Sequence, residues 1–333
     1  MTYRMAALGW LLVALAACGG ASGSPQAEPT TAKTTPDPTD PPASPVMTEP
    51  PLEALELLWE SAGDTTPTGP FPSTYSPAVD PLTGDIWVSL GSDDVIWIFG
   101  SDGAFKDSFG KSGDGPGEFE FTRPACRECP GAGALAFAPD GSLFVADVGN
   151  QRVQKFDPEH EFQAEWGSFG AGEGQFADAT QIATNGREVY VSDDVRQDTQ
   201  VFDMDGSFLR TFPASGWLAI GSAGNLLMSR LGEIATYDAQ GQVGDATPIP
   251  DYAGGFHIGL AASDDGRLFF DYQNDATGEA IALGELDPST GASRIWSTAG
   301  ETLTIADDVL YEANYTGPGW PEAVLRAYRL PEP

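Results

Sequence analysis

A strand-rich unit that recurs along the chain constrains the fold of this protein more than any other feature. The unit has an apolar strand, an Asp-Gly type of turn, a second apolar strand, a polar turn, a third strand and a last strand after a Gly turn. It is clearest between Gly133 and Asp157. Short alternating strands separated by such turns indicate antiparallel sheet.

The second strand of the unit aligns six times, with spacings of 37 to 57 residues. The aligned segments begin with the anchors Ile86, Leu143, Val189, Leu226, Leu268 and Leu310. A single four-stranded sheet cannot bury both of its faces, whereas a ring of such sheets buries them and leaves only short edges. The repeats therefore predict an all-β protein, a six-bladed β-propeller over residues 52–330, with 331–333 as a tail.

The two ends of the predicted propeller complement each other. Outer strands end in an aromatic residue followed by a small one, at Phe109, Trp166, Phe212 and Trp296. The same signature surrounds Trp59 before the first unit, and the last unit stops after its third strand, Ala323–Leu330. We expect the segment around Trp59 to supply the missing outer strand of blade six. The alternative is a short amphipathic helix over Leu52–Ser61, because ELLWE also suits a helix.

One unit carries a family resemblance. The segment Phe144–Asp157, with Asp147, Asn150 and Arg152, resembles the core of an NHL repeat: an apolar pair, Asp, two residues, Asn, one residue, Arg and an aromatic residue. The linkers Gly115–Phe119 and Gly172–Phe176 also resemble NHL linkers. The resemblance covers residues 52–330 and implies a propeller, although only the second unit is a full match.

The first 17 residues predict a secretory signal. Arg4 precedes the apolar run Met5–Ala17, which is too short to span a membrane core that needs about 20 helical residues. The end of the run, LAAC followed by two glycines, resembles the lipobox of bacterial lipoproteins, and this implies acylation of Cys18. The alternative is an ordinary signal with a chance cysteine. We expect a lipid anchor that holds the protein in the cell envelope, outside the cytoplasm.

Residues 18–51 have the composition of a spacer. They are rich in Pro, Thr, Ser, Ala and Gly, show no periodicity and offer almost nothing to bury. Such a segment is expected to be a disordered, semi-extended stalk. Its predicted role is to hold the propeller away from the membrane.

The charge of the chain excludes one class of partner. It has 16 Lys and Arg against 49 Asp and Glu, a formal net charge of −33. Without a basic surface the protein cannot neutralise nucleic acid phosphates, and anionic membrane surfaces repel its folded part. We therefore expect membrane contact through the lipid anchor only. The acidity could steer cations or a basic partner, or it could serve solubility.

In a propeller, the linkers between blades and the hairpins between second and third strands share one face, here called the linker face. The last residues of the second strands should ring it: Leu90, Asp147, Asp193, Arg230, Tyr272 and Asn314. His257 is predicted in the linker to the fifth inner strand, and Asp178 at the aligned position of the third. We treat these polar residues as candidate ligand-binding residues. For Asp147, Asn150 and Arg152 the alternative is a structural role, in which Asp and Asn bond turn backbone and Arg pairs with Asp.

The sequence offers few metal ligands. With only His160 and His257, it cannot build a three-His zinc site, and His160 is expected to be solvated at an outer turn. No cofactor is expected, although calcium fits the abundant carboxylates better than zinc does. Candidate calcium clusters are Asp93-Asp94, Asp193-Asp194, Asp264-Asp265 and Asp307-Asp308, each of which also suits a turn or an acidic surface.

Cys126 and Cys129 form a Cys-x-x-Cys pair in the longest linker. Outside the cytoplasm this pair predicts a small-loop disulfide. Redox chemistry and metal binding are the alternatives, but a thioredoxin-like unit and a second pair of cysteines are both missing.

The chain shows no pairing of nucleophile and base. We therefore expect a monomeric, membrane-anchored propeller that binds a protein or a small ligand at its linker face without catalysis. The alternative function is that of a calcium-dependent hydrolase or lyase, as in lactonase-like propellers. A third is that of a structural subunit of an envelope complex.

Overall fold

The structure is a computed structural model. It describes residues 53–61, 74–91, 93–122, 133–230, 232–238, 240–250, 256–273, 280–297, 302–313 and 324–332. In these ranges the chain forms strands and turns without a helix. It follows that the described part of the chain offers no long apolar helix that could cross a membrane.

The strands are numbered in chain order, and each large sheet is called a blade. Ahead of blade one lie β1 (Glu53–Ala54) and β2 (Glu56–Ser61). Blade one contains β3 (Thr74–Val79), β4 (Ile86–Leu90), β5 (Val95–Phe99) and β6 (Phe105–Phe109). The linker after it contains β7 (Lys111–Ser112) and β8 (Glu118–Phe119). Blade two contains β9 (Leu135–Phe137), β10 (Leu143–Asp147), β11 (Arg152–Phe156) and β12 (Phe162–Trp166).

The remaining strands form blades three to six. Blade three contains β13 (Ala179–Thr184), β14 (Glu188–Asp193), β15 (Asp198–Asp203) and β16 (Phe208–Phe212). Blade four contains β17 (Trp217–Ile220), β18 (Leu226–Arg230), β19 (Glu233–Tyr237) and β20 (Val243–Pro248). Blade five contains β21 (Phe256–Ala262), β22 (Leu268–Gln273), β23 (Ala280–Asp287) and β24 (Ala292–Ser297). Blade six contains β25 (Thr302–Ala306), β26 (Val309–Ala313) and β27 (Leu325–Arg329).

The blades form a closed ring. Within each blade, strands that follow one another in the chain pair antiparallel. The first strand of each blade is innermost, and successive inner strands contact one another: β3 with β9, β9 with β13, β13 with β17, β17 with β21, β21 with β25, and β25 with β3. The predicted all-β, six-bladed β-propeller is therefore confirmed.

The beginning of the described chain closes the ring. Strand β2 pairs antiparallel with β27, from Glu56 opposite Arg329 to Ser61 opposite Leu325. The predicted outer strand of blade six is thus confirmed, and the alternative helix is wrong. One addition was not predicted: β1 pairs parallel with β24, with Glu53 opposite Trp296, so the same segment also extends blade five.

The hydrophobic core lies between neighbouring blades. Between blades two and three, for example, Phe144 and Val153 pack with Val189, Val191 and Phe202. Alternate side chains of each strand face opposite neighbours, so both faces of a blade are apolar. This arrangement explains why the second strands are almost continuously apolar instead of alternating with polar residues.

Aromatic residues of the outer strands pack on the next blade. Trp166 of blade two covers Gly206 of blade three so closely that a Cβ at Gly206 would lie 2.4 Å from the ring. Trp59 covers Gly103 of blade one in the same way, at 2.6 Å, and its indole N–H donates to the carbonyl of Ser101. The aromatic signature in the sequence therefore marks contacts between blades.

His160 departs from the expectation of a solvated side chain. It occupies, in blade two, the turn position that Gly206 occupies in blade three, and it has a left-handed φ of 63°. Its ring packs against Trp87 with centroids 4.5 Å apart and also contacts Phe109 and Phe137. The prediction was wrong because the imidazole lies in an aromatic pocket formed by Trp87 and Phe109 of blade one and Phe137 of blade two.

Candidate functional site

The linker between blades one and two is held by a buried carboxylate at the end of β10. Asp147 accepts hydrogen bonds from the backbone N–H of Glu120 at 2.8 Å, from Asn150 at 2.9 Å, from Arg152 at 2.8 Å and from Gln154 at 3.1 Å. The carboxylate is fully buried. Burial raises the pKa of Asp147, and the bonds from Glu120, Asn150 and Arg152 oppose that rise.

Arg152 extends the same network along the linker. Besides pairing with Asp147, its guanidinium donates to the carbonyls of Asp114 at 2.7 Å, Gly115 at 2.9 Å and Glu118 at 3.0 Å. The predicted pairing of Arg152 with Asp147 across the hairpin is present in the structure. Its function in the fold is to fasten the linker on the blade that the linker enters.

Blade one holds this linker from its other side. Asp94, in the hairpin after β4, accepts a hydrogen bond from the backbone N–H of Phe121 at 2.7 Å and another from the hydroxyl of Ser112 at 2.7 Å. The linker is therefore clamped between Asp94 and Asp147. Both carboxylates are used by the chain itself.

The linker into blade three is held by a variation of the same scheme. Asp193 accepts hydrogen bonds from the backbone N–H groups of Ala177 at 2.6 Å and Asp178 at 3.0 Å. Arg196 donates to the linker carbonyl of Gly172 at 3.1 Å and pairs with Asp198 at 2.7 Å. The arginine of blade three thus stands at the position that Asn150 has in blade two, and Asp198 stands at the position of Arg152.

The structure places the other predicted residues as follows. Asp178 is buried directly before β13, in the linker as predicted. Tyr272 is buried, and its hydroxyl donates to the carbonyl of Pro250. Arg230 is half-buried at the end of β18. His257 lies within β21, opposite Tyr272, and not in the linker before it.

Four predicted residues lie outside the described part of the chain: Cys18, Cys126, Cys129 and Asn314. At the ring position, Leu90, Asp147, Asp193 and Tyr272 are all buried between blades. A ligand role for any of these residues stays a prediction. Among the described residues there is no group of three or more His, Cys, Asp or Glu side chains that could hold a metal ion.

Sequence reasoning missed the most exposed apolar side chains of the linker face. Phe169, in the linker to blade three, is 72% exposed, and Val195, in the hairpin of blade three, is 56% exposed. Exposed Glu173 and Asp194 belong to the same linker and hairpin. We call these four residues the Phe169 patch. The available signal was the alignment of the two linkers, which places Phe169 where the first linker has Ser112.

Comparison with known protein families identifies one repeat. The family model described as NHL repeat matches residues 132–156. The chain contains an NHL repeat. The NHL repeat covers β9, β10 and β11 of blade two, and it includes the network of Asp147, Asn150 and Arg152. No curated protein matches this sequence significantly.

Solved structures share the architecture around the NHL repeat. A gluconolactonase from Xanthomonas campestris is 14% identical, with a TM-score of 0.55 over 78% of this chain and 86% of that chain. A protein of unknown function from Bacteroides thetaiotaomicron is 11% identical, with a TM-score of 0.57 over 82% of this chain and 73% of that chain. At these identities the likeness shows the fold alone.

A third similar structure is a catalytically inactive virginiamycin B lyase from Staphylococcus aureus with quinupristin. It is 13% identical, with a TM-score of 0.51 over 78% of this chain and 84% of that chain. Like the other two, it shares the propeller fold with this chain. The lyase activity in its name belongs to that protein.

Proposed function

We propose that this chain is an extracytoplasmic β-propeller, anchored in the cell envelope through acylated Cys18, that binds a protein partner with its linker face and does not catalyse a reaction. The observation that carries the proposal is the exposure of Phe169 and Val195 on that face. Large exposed apolar side chains with a polar surround are typical of surfaces that bind other proteins.

The patch rests on a well-fixed base. The linker that carries Phe169 is bonded to blade three through Asp193 and Arg196. A side chain presented from a fixed backbone loses little conformational entropy on binding, and this favours affinity. Phe169 is therefore suited to insert into a pocket of a partner.

Charge favours one kind of partner. Glu173 and Asp194 are exposed in the same linker and hairpin as Phe169 and Val195, and the whole chain has a formal net charge of −33. Opposite charge on a partner raises the rate of encounter and fixes its orientation. The proposed partner presents an apolar pocket rimmed by Lys or Arg.

The proposal of a binding role without catalysis is supported by how the chain uses its carboxylates. Asp94, Asp147 and Asp193 of the linker face all accept hydrogen bonds from backbone N–H groups of the chain. Groups occupied in this way fix linkers and are not poised for proton transfer.

The test compares how much of a partner is captured from gently solubilised membranes by tagged full-length wild-type protein and by two variants. The variants are Phe169→Ser with Val195→Ser, and Leu209→Ser as the matched control, since Leu209 is 45% exposed on the outer strand β16 of the same blade. We expect a captured protein, once identified and purified, to bind the double variant at least about 10-fold more weakly and the control as tightly as wild type. Binding of the partner by the double variant as tightly as by wild type would refute the proposal.

Calcium-dependent hydrolysis or elimination is the competing function. Thermal melting of the full-length protein with calcium and with chelator separates the two. A melting temperature that is the same with calcium and with chelator agrees with a binding role. A large calcium-specific rise that magnesium does not reproduce would favour the enzyme.

A further inference from the structure

A cavity occupies the centre of the ring. Its volume is about 350 Å³, and the inner strands of all six blades line it. It also reaches Pro81, in the turn after β3, and this turn lies on the face opposite the linkers. Pockets that hold small molecules have volumes of roughly 300 to 1,000 Å³. The cavity is therefore large enough for a small ligand.

The lining of the cavity contrasts with the rest of the protein. None of the described residues that line it is Asp, Glu, Lys, Arg or His, although the chain has 49 acidic residues. Most of the residues in the lining are apolar, as at Val79, Phe137, Ile220 and Ile305, while polar atoms make up slightly more than half of the surface exposed in the cavity. A charged ligand would lose its hydration here without gaining a counter-ion from these side chains, which is strongly unfavourable.

Three polar side chains of the lining are free to bond a ligand. Ser76, Gln181 and Thr304 belong to blades one, three and six, and within the described part of the chain their side chains make no hydrogen bond. Two other polar residues of the lining differ, because Thr184 donates to the carbonyl of Glu188 and Thr302 donates to that of Ala313.

Ser76 is also held in an unusual conformation. Its φ of 34° lies in the left-handed region, in a bulge between β3 and β4 where the register shifts between Tyr75 and Pro77. For a residue other than glycine this conformation costs free energy, and such residues concentrate at sites of function. The same kind of register shift occurs in the inner strands of blades three and five, so the bulge at Ser76 is a recurring feature of the channel lining.

We infer that the central channel is a binding site for an uncharged small molecule that has an apolar body and at least one hydrogen-bonding group. The apolar side chains bury the body, and Ser76, Gln181 and Thr304 recognise the polar group from three directions. A pocket that combines apolar side chains with a few uncommitted polar groups is typical of small-molecule sites. This site is additional to the protein-binding role proposed for the linker face.

Two fluorescent probes with the same ring system test the charge selectivity. N-phenyl-1-naphthylamine is neutral, whereas 8-anilinonaphthalene-1-sulfonate carries a sulfonate, and both become brighter in apolar surroundings. Titrations of the full-length protein in 0.5 M NaCl reduce long-range repulsion of the anion, since the Debye length is then about 4 Å. We expect the neutral probe to bind at least about 10-fold more tightly than the anion. Equal affinities would overturn the inference.

Two substitutions locate the bound probe. Ala219→Phe fills the channel from blade four and Ala306→Phe fills it from blade six, so one can replace the other if either variant fails to fold. Ala164→Phe is the matched control, because Ala164 is equally half-buried but lies on the outer strand β12. We expect each channel variant that keeps the wild-type circular dichroism to bind the neutral probe at least about 10-fold more weakly, and the control to bind as wild type does.

Probe binding in the channel can be tested separately from partner binding at the linker face. Binding of the neutral probe should survive Phe169→Ser with Val195→Ser, and partner capture should survive Ala219→Phe. Neutral-probe binding that is unchanged in both folded channel variants would place the probe elsewhere and refute the channel site, whatever the outcome of partner capture.

Discussion

Arg196 donates a hydrogen bond to the carbonyl oxygen of Gly172 at 3.1 Å. The equivalent bond in the preceding blade, from Arg152 to the carbonyl of Gly115, comes from a position two residues later in the hairpin. The two blades thus fasten their linkers with the same guanidinium contact from different sequence positions. In blade three Asp198, which stands at the position that Arg152 has in blade two, pairs with Arg196.

The first prediction tests whether the arrangements of blades two and three are interchangeable. Arg196→Asn removes the linker contact and leaves Asp198 unpaired, and Asp198→Arg places two arginines together, so each change alone should destabilise the protein. The double variant recreates the Asn and Arg order of blade two beside Asp193. We expect it to be at least about 1 kcal/mol more stable than the sum of the single effects, by urea denaturation. Additive effects would show that the two arrangements are not equivalent.

The second prediction concerns Gly206, where a left-handed backbone and a close aromatic ring coincide. Gly206 has φ of 85° and lies under Trp166, whereas Gly224 has φ of 77° with nothing within 4 Å of the Cβ position. Gly224→Ala should cost about 1 kcal/mol through the backbone alone. Gly206→Ala should cost about 2 kcal/mol more, because the indole must move. Thermal and urea unfolding measure both, and equal costs would mean that Trp166 gives way freely.

The third prediction concerns ring closure. Trp59, on the outer strand of blade six, donates a hydrogen bond to the carbonyl of Ser101 in blade one and packs against Tyr311 of its own blade. Trp59 is half-buried, whereas Leu57 on the same strand is exposed. We expect Trp59→Ala to reduce the free energy of unfolding by about 3 kcal/mol and Leu57→Ala by less than about 0.5 kcal/mol. A similar small loss for both would show that the contacts of Trp59 contribute little to ring closure.

The fourth prediction is a pH dependence. Hydrogen bonds from Arg210 lower the pKa of Glu188 below its ordinary value of 4.5. The stabilisation by this pair is therefore present above about pH 4.5 and is lost as pH falls through the lower folded pKa. Glu188→Gln should cost about 1 kcal/mol at pH 7, and the difference from wild type should shrink below pH 4.5. A difference that stays constant down to pH 3 would contradict this assignment.

Much of the fold could be predicted from sequence, because the aromatic that ends an outer strand and the apolar second strand each report a contact that recurs in blade after blade. Trp59 was recognisable for that reason. Strand β1 was not, since two residues carry no periodicity and its pairing with β24 depends on where ring closure places the chain. Arg196 was also not recognisable from the sequence motif. Its guanidinium makes the same contact with a linker carbonyl as that of Arg152, but from a different position in the motif.

The candidate site was harder to predict than the fold. Asp147 and Asp193 are polar residues near a surface hairpin, and sequence alone does not distinguish a carboxylate that binds a ligand from one that binds backbone N–H groups. Phe169 has the opposite difficulty, because an aromatic residue in a linker is expected to be buried, as Phe176 is. Whether a linker residue is exposed depends on how the linker packs on its blade, which appears only in three dimensions.

The most direct test of the linker face as the binding surface is photocrosslinking in intact cells. Incorporation of p-benzoylphenylalanine at Phe169 should give one discrete adduct of the full-length protein, identified by mass spectrometry. The same reagent at Leu209, on the outer strand of the same blade, should not give it. No adduct at position 169, or the same adduct from both positions, would contradict the proposed function.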